Sequence, residues 1–92
     1  MENKLNQNLQ KMMTQVGATG ISVADKEGTP VITKGNMDSR VANMGALIMD
    51  DARNMYPNAV KQNNPIIVMH SANGSKITVV NNHGETVTMH TK

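Results

Sequence analysis

Apolar residues near the start of the chain recur at helical spacing. Four of them are separated by four, three and four residues: Leu5, Leu9, Met12 and Val16. This spacing is typical of one face of an amphipathic helix. Gly17 follows, and glycine suits the left-handed position after a helix. The pattern predicts a helix from residue 2 to about residue 16.

Two short apolar segments follow, "TGISVAD" and "TPVITKG", separated by the turn-forming residues "KEG". This arrangement predicts a β-hairpin. Proline cannot donate a hydrogen bond within a central strand. We therefore expect the strand that contains Pro30 to lie at an edge of its sheet.

Helical spacing returns in "NMDSRVANMGALIMDDARNMY", which predicts a second helix from a cap at Asn36 or Asp38 to about Met55. Its apolar positions are Val41, Met44, Leu47, Ile48, Ala52 and Met55. Gly45 lies in its interior, where glycine costs about 1 kcal/mol relative to alanine. Either another backbone approaches closely at Gly45 or the glycine is simply tolerated.

After the polar stretch "PNAVKQNN", the segments "PIIVMHS", "SKITVVNN" and "ETVTMHT" predict three strands joined by two tight turns. Asn73-Gly74 favours a two-residue type I′ turn, which would place Val68 opposite Val79. "NNHG" favours a type I turn closed by a bulge at Gly84, which would place Val79 opposite Val87.

This register assigns every strand residue to one of two faces. The first face, expected to be a core face, comprises Ile66, Val68, His70, Ile77, Val79, Val87 and Met89. The second, mixed face comprises Ile67, Met69, Thr78, Val80, Thr86, Thr88 and His90. The predicted element order is α-β-β-α-β-β-β, an α+β fold in which an antiparallel sheet has one helix on each face.

Length and composition narrow the function. A chain of 92 residues predicts a single domain over residues 1–92. The nine Lys and Arg residues are spread along the chain and the only aromatic residue is Tyr56, which argues against nucleic-acid binding. The absence of cysteine excludes disulfides and cysteine-based zinc sites. No apolar run approaches the roughly 20 residues that span a bilayer. We expect a cytoplasmic chain without direct membrane insertion.

Candidate chemistry is sparse. His70 and His90 fall on opposite faces of the predicted sheet, which argues against a shared metal site. Turn and cap roles account for Asp25, Glu27 and Asp38, and a solvated helix face accounts for Asp50 and Asp51. No phosphate-binding loop, nucleophile elbow or cysteine nucleophile occurs. We expect no enzymatic activity, no cofactor and no metal.

The strand "PIIVMHS" carries the strongest functional indication. If one of the first two strands pairs with the last, this strand lies at the opposite edge of the sheet. Exposed edges are normally protected by charge, proline or a bulge, and here only Pro65 at its start offers protection. We expect another chain to cover this edge.

Three strings of the sequence are informative together: "MENKLNQNLQKMM", "GISVADKEGTPVITKG" and "NGSKITVVNNHGETVTMH". They resemble the roadblock/LC7 superfamily, and most closely the hepatitis B virus X-interacting protein family, which provides the fifth late endosomal/lysosomal adaptor subunit of Ragulator. The resemblance implies a roadblock/profilin-like fold with a five-stranded antiparallel sheet.

The resemblance also implies a non-catalytic scaffold. Such subunits pair through their second helices and third strands, and their assembly holds Rag GTPases at the lysosome for amino-acid signalling to mTOR. A peripheral position on the lysosomal or late endosomal membrane would depend on partner subunits. Carried onto this sequence, the partner interface comprises Val41, Met44, Ile48, Met55, Ile66, Ile67, Val68 and Met69.

Two alternatives remain open at this point. One is a homodimeric roadblock-type dynein light chain or small-GTPase regulator. The other, from a different class, is a small-ligand sensor domain, which would need a defined pocket with convergent polar groups. A heterodimer with another roadblock-type subunit is the leading hypothesis.

Overall fold

The computed structural model describes residues 2–55 and 65–92, apart from the side chains of residues 2–6, 9 and 12. The elements are α1 (Glu2–Val16), β1 (Ala18–Ala24), β2 (Pro30–Gly35), α2 (Arg40–Asn54), β3 (Ile67–His70), β4 (Lys76–Asn82) and β5 (Glu85–Thr91). The strands form one antiparallel sheet in the order β2-β1-β5-β4-β3. This confirms the predicted element order and α+β fold class. The predicted loop over residues 57–64 lies outside the described residues.

One helix covers each face of the sheet, as predicted. On one face, Met13 of α1 packs against the buried side chains of Ile21, Val23 and Val87. On the other, α2 lies against Thr86 and Thr88. Residues 86 and 88 point away from residue 87 because side chains alternate along a strand. The centre of the sheet, at β1 and β5, is therefore buried between the two helices.

Helix α1 ends where the sequence predicts. Gly17 has a φ of +69°, the left-handed conformation expected after a helix. Of the four residues that predicted the apolar face, only Val16 has a described side chain, and it is 50% exposed. Met13 makes the described contact with the sheet instead.

The β1–β2 hairpin places β2 at one edge of the sheet, and Pro30 begins that strand as expected. The turn is held by Asp25, whose Oδ1 accepts the backbone N–H groups of Glu27 at 3.0 Å and Thr29 at 2.9 Å. The turn role predicted for Asp25 is thus observed.

The turn between β3 and β4 differs from the prediction. Ser71 N–H donates to the Ser75 carbonyl at 2.9 Å, and Gly74 N–H donates to the Ser71 carbonyl at 3.0 Å. Gly74 has a φ of +92°, whereas Asn73 is not among the described residues with positive φ. A type I′ turn requires positive φ at both central residues. The turn is therefore a type I turn followed by a glycine bulge.

The turn between β4 and β5 is of type I′, the type that the sequence predicts for the β3–β4 turn. His83 and Gly84 have φ values of +54° and +88°, and Asn82 pairs with Glu85 across them. Two successive positive φ angles in a two-residue loop define a type I′ turn. The two turn types are exchanged relative to the prediction.

Each exchange shifts the pairing by one residue, so both predicted registers are wrong. Val68 pairs with Thr78 instead of Val79, and Val79 pairs with Thr88 instead of Val87. A shift of one residue moves a strand's side chains to the opposite face. Because β4 takes part in both shifts, only β4 was assigned to the wrong face.

The corrected faces follow directly. Ile77 and Val79 lie on the α2 side with Thr88, and Thr78 and Val80 lie on the α1 side. The two errors cancel between β3 and β5. His70 and His90 therefore remain on opposite faces, as predicted.

Candidate partner interface

The start of α2 is fixed by a carboxylate. Asp38 Oδ1 accepts the backbone N–H of Arg40 at 2.8 Å, and the Arg40 guanidinium bonds both carboxylate oxygens at 2.8 to 3.2 Å. The side-chain hydrogen bond from Arg40, with the backbone one, lowers the pKa of Asp38 to about 2. The helix begins at Arg40 with Ser39 at the N-cap position, so the predicted cap at Asn36 or Asp38 is wrong. Ser39 makes no side-chain cap hydrogen bond, and Asp38 bonds the first helical N–H instead.

Helix α2 packs on the sheet through three small or flexible residues. Ala42, Gly45 and Met49 are its buried residues, and they recur at intervals of three and four as one helix face requires. A Cβ at Gly45 would collide with the Thr88 hydroxyl. The absence of a side chain at Gly45 thus permits a close approach, here to a strand side chain rather than to a backbone.

A second face of α2, beside the one packed on the sheet, carries the helix residues predicted for the interface. Val41 and Ile48 are half-buried, while Met44 is 50% exposed and Met55 is 82% exposed. The predicted stripe also included Leu47, which is 59% exposed and adjoins a separate polar hollow. Met49, which faces the sheet, is buried. Leu47, three residues after Met44, therefore lies at the boundary between the stripe and the polar hollow.

Strand β3 presents a second set of exposed apolar side chains. Ile66 is 71% exposed, Val68 45% and Met69 40%, and Ile67 is half-buried. Val68 points to the α1 side of the sheet and Met69 to the α2 side. The strand lies at the end of the sheet, where it pairs with β4. Both of its faces are therefore partly open.

The helix stripe and the strand meet in a groove of about 500 Å³. Its lining comprises Ala52, Met55, Pro65, Ile66, Ile67 and Val68. We call the combined set the α2–β3 surface, defined as Val41, Met44, Ile48, Ala52, Met55 and Pro65 to Met69. Ala52 and Pro65 were not among the predicted interface residues, although Ala52 belonged to the predicted helix stripe.

Exposed apolar residues are concentrated on this surface. Among the described residues, eight large hydrophobic side chains are exposed: Val16, Val31, Met44, Leu47, Met55, Ile66, Val68 and Met69. Five of the eight lie on the α2–β3 surface. A contiguous apolar patch is typical of an interaction site, whereas single exposed hydrophobic residues are ordinary.

The backbone of β3 also offers hydrogen-bonding groups. Ser71 N–H bonds the Ser75 carbonyl, and in an antiparallel pair alternate residues direct their N–H and C=O groups toward the neighbouring strand. Met69 therefore bonds toward β4, and Val68 and His70 direct their N–H and C=O groups outward. An added strand would pair with these groups.

The opposite edge of the sheet is protected. Along β2, Val23 pairs with Ile32 and Ala24 pairs with Pro30, which leaves Val31 as an extra, bulged residue. Proline, a bulge and a lysine, here Lys34, are the devices that discourage strand addition. Strand β3 has none of them within its four residues. The two edges are therefore chemically different.

A family model described as Ragulator complex protein LAMTOR5 matches residues 1–92. The chain belongs to the LAMTOR5 family. A relative from Nematostella vectensis, a Ragulator complex protein LAMTOR5 homolog, is 28% identical over 71 residues, which cover 77% of this chain and 76% of the relative. The resemblance to this family is thereby confirmed, and the family assignment makes the chain a Ragulator-type scaffold subunit.

Solved structures confirm the roadblock fold of this LAMTOR5-family chain. A roadblock/LC7 domain from Streptomyces avermitilis superposes with a TM-score of 0.66 and 11% identity over 80% of this chain, which spans 65% of that domain's length. MglB from Myxococcus xanthus superposes with a TM-score of 0.70 and 14% identity over 88% of this chain and 69% of that protein. At these identities the likeness concerns the fold alone.

The LAMTOR5-family chain uses one histidine structurally. His90 Nδ1 lies 2.8 Å from the Thr19 hydroxyl, which links β5 to β1. His70 lies on the other face of the sheet. Within residues 2–55 and 65–92, no three His, Asp or Glu side chains are grouped so that they could hold a metal ion.

A polar hollow of about 180 Å³ lies beside the β1–β2 turn, away from the α2–β3 surface. Its lining includes Lys26, Asp50 and Arg53. Nearby, Asn43 Nδ2 donates to the Gly28 carbonyl at 2.9 Å and so ties the turn to α2.

No helix in the described part of the chain is long and apolar enough to cross a membrane.

Proposed function

We propose that this chain is a non-catalytic scaffold subunit that pairs with another roadblock-type chain through its α2–β3 surface. The observation that carries the proposal is the unprotected β3 edge, which adjoins the apolar stripe of α2. A partner strand would satisfy the outward N–H and C=O groups around Val68, and a partner helix would cover Met44 and Met55. Because β2 is protected, pairing would end at two chains instead of continuing into a fibre.

The family supplies the wider setting of the proposal. As a LAMTOR5-family subunit, the chain would contribute to a Ragulator-like complex that supports Rag GTPases and amino-acid signalling to mTOR at the lysosome. Its position on the lysosomal or late endosomal membrane would come from partner subunits. Its contribution would be a surface for assembly, with no cofactor involved.

Val68 permits a specific test of strand pairing. Proline removes the Val68 N–H, which points away from β4, so the Val68→Pro variant should keep the β3–β4 hairpin but lose a hydrogen bond to the added strand. We expect at least a tenfold loss of affinity for purified roadblock-type Ragulator subunits of the same organism. Titration calorimetry measures the affinity, and circular dichroism verifies folding.

Two control variants separate backbone from side-chain effects. Val68→Thr keeps the N–H and a β-branched shape, and it should bind more tightly than Val68→Pro. Met69→Pro removes an N–H that bonds β4 and should destabilise the hairpin itself. The proposal would be refuted if folded Val68→Pro bound with the wild-type affinity, or if no roadblock-type subunit bound the wild-type chain.

A further inference from the structure

Two adjacent carboxylates on α2 have different surroundings. Asp50 lines the polar hollow together with Lys26 and Arg53. Successive residues diverge by about 100° around a helix axis, so Asp51 is directed elsewhere. Asp51 is exposed. Only one of the two carboxylates therefore belongs to the hollow.

Asp51 lies within the apolar stripe of α2. Met44, Ile48, Asp51 and Met55 follow one another at intervals of four, three and four residues, which places them on one face of the helix. A partner helix that covers Met44 and Met55 would also cover Asp51. The carboxylate would then be removed from water, which is unfavourable for a charge without a partner.

Among residues 2–55 and 65–92, the α2–β3 surface contains no lysine or arginine that could pair with that carboxylate. The residues of the surface are apolar, and Asp51 is their only charged neighbour within the stripe from Met44 to Met55. Arg40 lies four residues before Met44, but its guanidinium already bonds both oxygens of Asp38. A second copy of the chain would bring a second Asp51 into the same interface, since a two-fold interface uses the same surface twice.

We infer that Asp51 is a specificity residue: it disfavours pairing with a second copy of this chain and selects a roadblock-type partner that presents a lysine or arginine opposite it. The inference rests on the proposed function and adds the chemistry of the partner. Discrimination of this kind combines an attractive contact with the right partner and an unpaired charge with the wrong one. The apolar stripe provides the affinity for a partner, and Asp51 determines which partner is bound.

The test compares Asp51→Asn with the matched control Asp50→Asn, which changes the neighbouring carboxylate outside the stripe. Sedimentation equilibrium of the lone chain measures self-association. We expect Asp51→Asn to strengthen self-association at least tenfold and Asp50→Asn to leave it unchanged. Titration against the purified roadblock-type Ragulator subunits should show Asp51→Asn binding at least fivefold more weakly, with less dependence on salt than the wild-type chain.

Charge reversal tests the partner's side of the contact. Asp51→Lys should lose affinity for the wild-type partner, and a Lys-to-Glu or Arg-to-Glu change at the facing position of the partner should restore it. Equal behaviour of Asp51→Asn and wild type in both measurements would overturn the inference. So would a wild-type homodimer that is weakened by Arg40→Gln, because Arg40 of one copy would then be pairing with Asp51 of the other.

The two proposals fail in different ways. If the wild-type chain binds a roadblock-type subunit and Val68→Pro abolishes binding, the proposed function stands even where Asp51→Asn has no effect. If the wild-type chain binds no roadblock-type subunit, the proposed function fails and the selection by Asp51 fails with it.

Discussion

At the scale of single residues, Gly45 shows that packing between elements can outweigh helix propensity. Glycine disfavours a helix interior by about 1 kcal/mol relative to alanine, yet Gly45 is buried in the middle of α2. The Thr88 side chain occupies the space that a Cβ would need. The sequence alone raises the question of why glycine is there, but the answer requires the position of Thr88, 43 residues later in the chain.

We therefore expect Gly45→Ala to destabilise the protein despite the better helix propensity of alanine. Overpacking typically costs about 1–3 kcal/mol, and chemical denaturation should show a net loss of that order. Thr88→Ala removes the colliding hydroxyl, so the double variant should recover much of the loss. A double-mutant cycle measures this coupling. Additive effects of the two changes would contradict the proposed contact.

At the scale of elements, the two hairpin turns explain why the order of strands in the sheet was easier to predict than the pairing of residues between strands. Both loops contain Asn and Gly, and both Gly74 and Gly84 have positive φ. The side chain of Asn73 accepts hydrogen bonds from Ser75 N–H at 3.0 Å and from the Ser75 hydroxyl at 2.8 Å. These bonds stabilise a local turn without requiring positive φ at Asn73.

The second hairpin depends on His83, which takes the positive φ that Asn73 does not. Asn81 Oδ1 accepts the Gly84 N–H at 3.2 Å and so supports the loop. Asn-Gly favours a type I′ turn more strongly than His-Gly does. The dipeptides alone therefore predicted the type I′ turn at Asn73-Gly74 and not at His83-Gly84, where it occurs. The β3 edge was predictable nevertheless, because strand order depends on Pro30 and on the pairing of β1 with β5, and neither depends on the turn type.

The start of α2 leads to a prediction about pH. The pKa of Asp38 is lowered to about 2 by the hydrogen bonds from Arg40, whereas an unperturbed aspartate has a pKa of about 3.9. Since the folded-state pKa is depressed, the contribution of Asp38 to stability is present above about pH 4 and is lost as the pH falls toward 2. Carboxyl NMR titration should place its midpoint near 2.

Arg40→Gln is the control for that titration because it retains the backbone N–H and removes the guanidinium. The Asp38 midpoint should rise toward its ordinary value in this variant. An unchanged Asp38 midpoint in Arg40→Gln would show that the guanidinium is not the cause.

At the scale of the whole molecule, the distribution of apolar residues links fold to function. Seven hydrophobic residues are buried among the described positions, and eight large ones are exposed. Sequence periodicity placed Met44 and Met55 on one helix face and Val68 on one strand face. It could not show whether these apolar side chains are buried in the chain's own core or left exposed for a partner. Leu47, for example, was predicted by its spacing and is 59% exposed, whereas the spacing of Ala52 predicted it equally and it is half-buried. Burial is a property of the assembled sheet and helices.

This distribution predicts that stability depends on the partner. A partner that binds only the folded chain stabilises it by RT ln(1 + [L]/Kd), about 2.7 kcal/mol at a concentration one hundred times Kd. In a domain of this size each 1 kcal/mol shifts Tm by roughly 4–8 °C, so a saturating roadblock-type subunit should raise the Tm of this chain by roughly 10 °C or more. Thermal unfolding followed by a spectroscopic label on this chain measures the shift.

The same experiment distinguishes the α2–β3 surface from the rest of the molecule. The partner should raise the Tm of Val68→Pro clearly less than that of the wild-type chain, because the added strand loses a hydrogen bond and binds more weakly. Val31→Thr alters an exposed residue at the protected β2 edge, and it should retain the full partner-dependent shift. A partner that stabilised Val68→Pro and failed to stabilise Val31→Thr would place the interface at β2, and the bulge and Pro30 would then need another explanation.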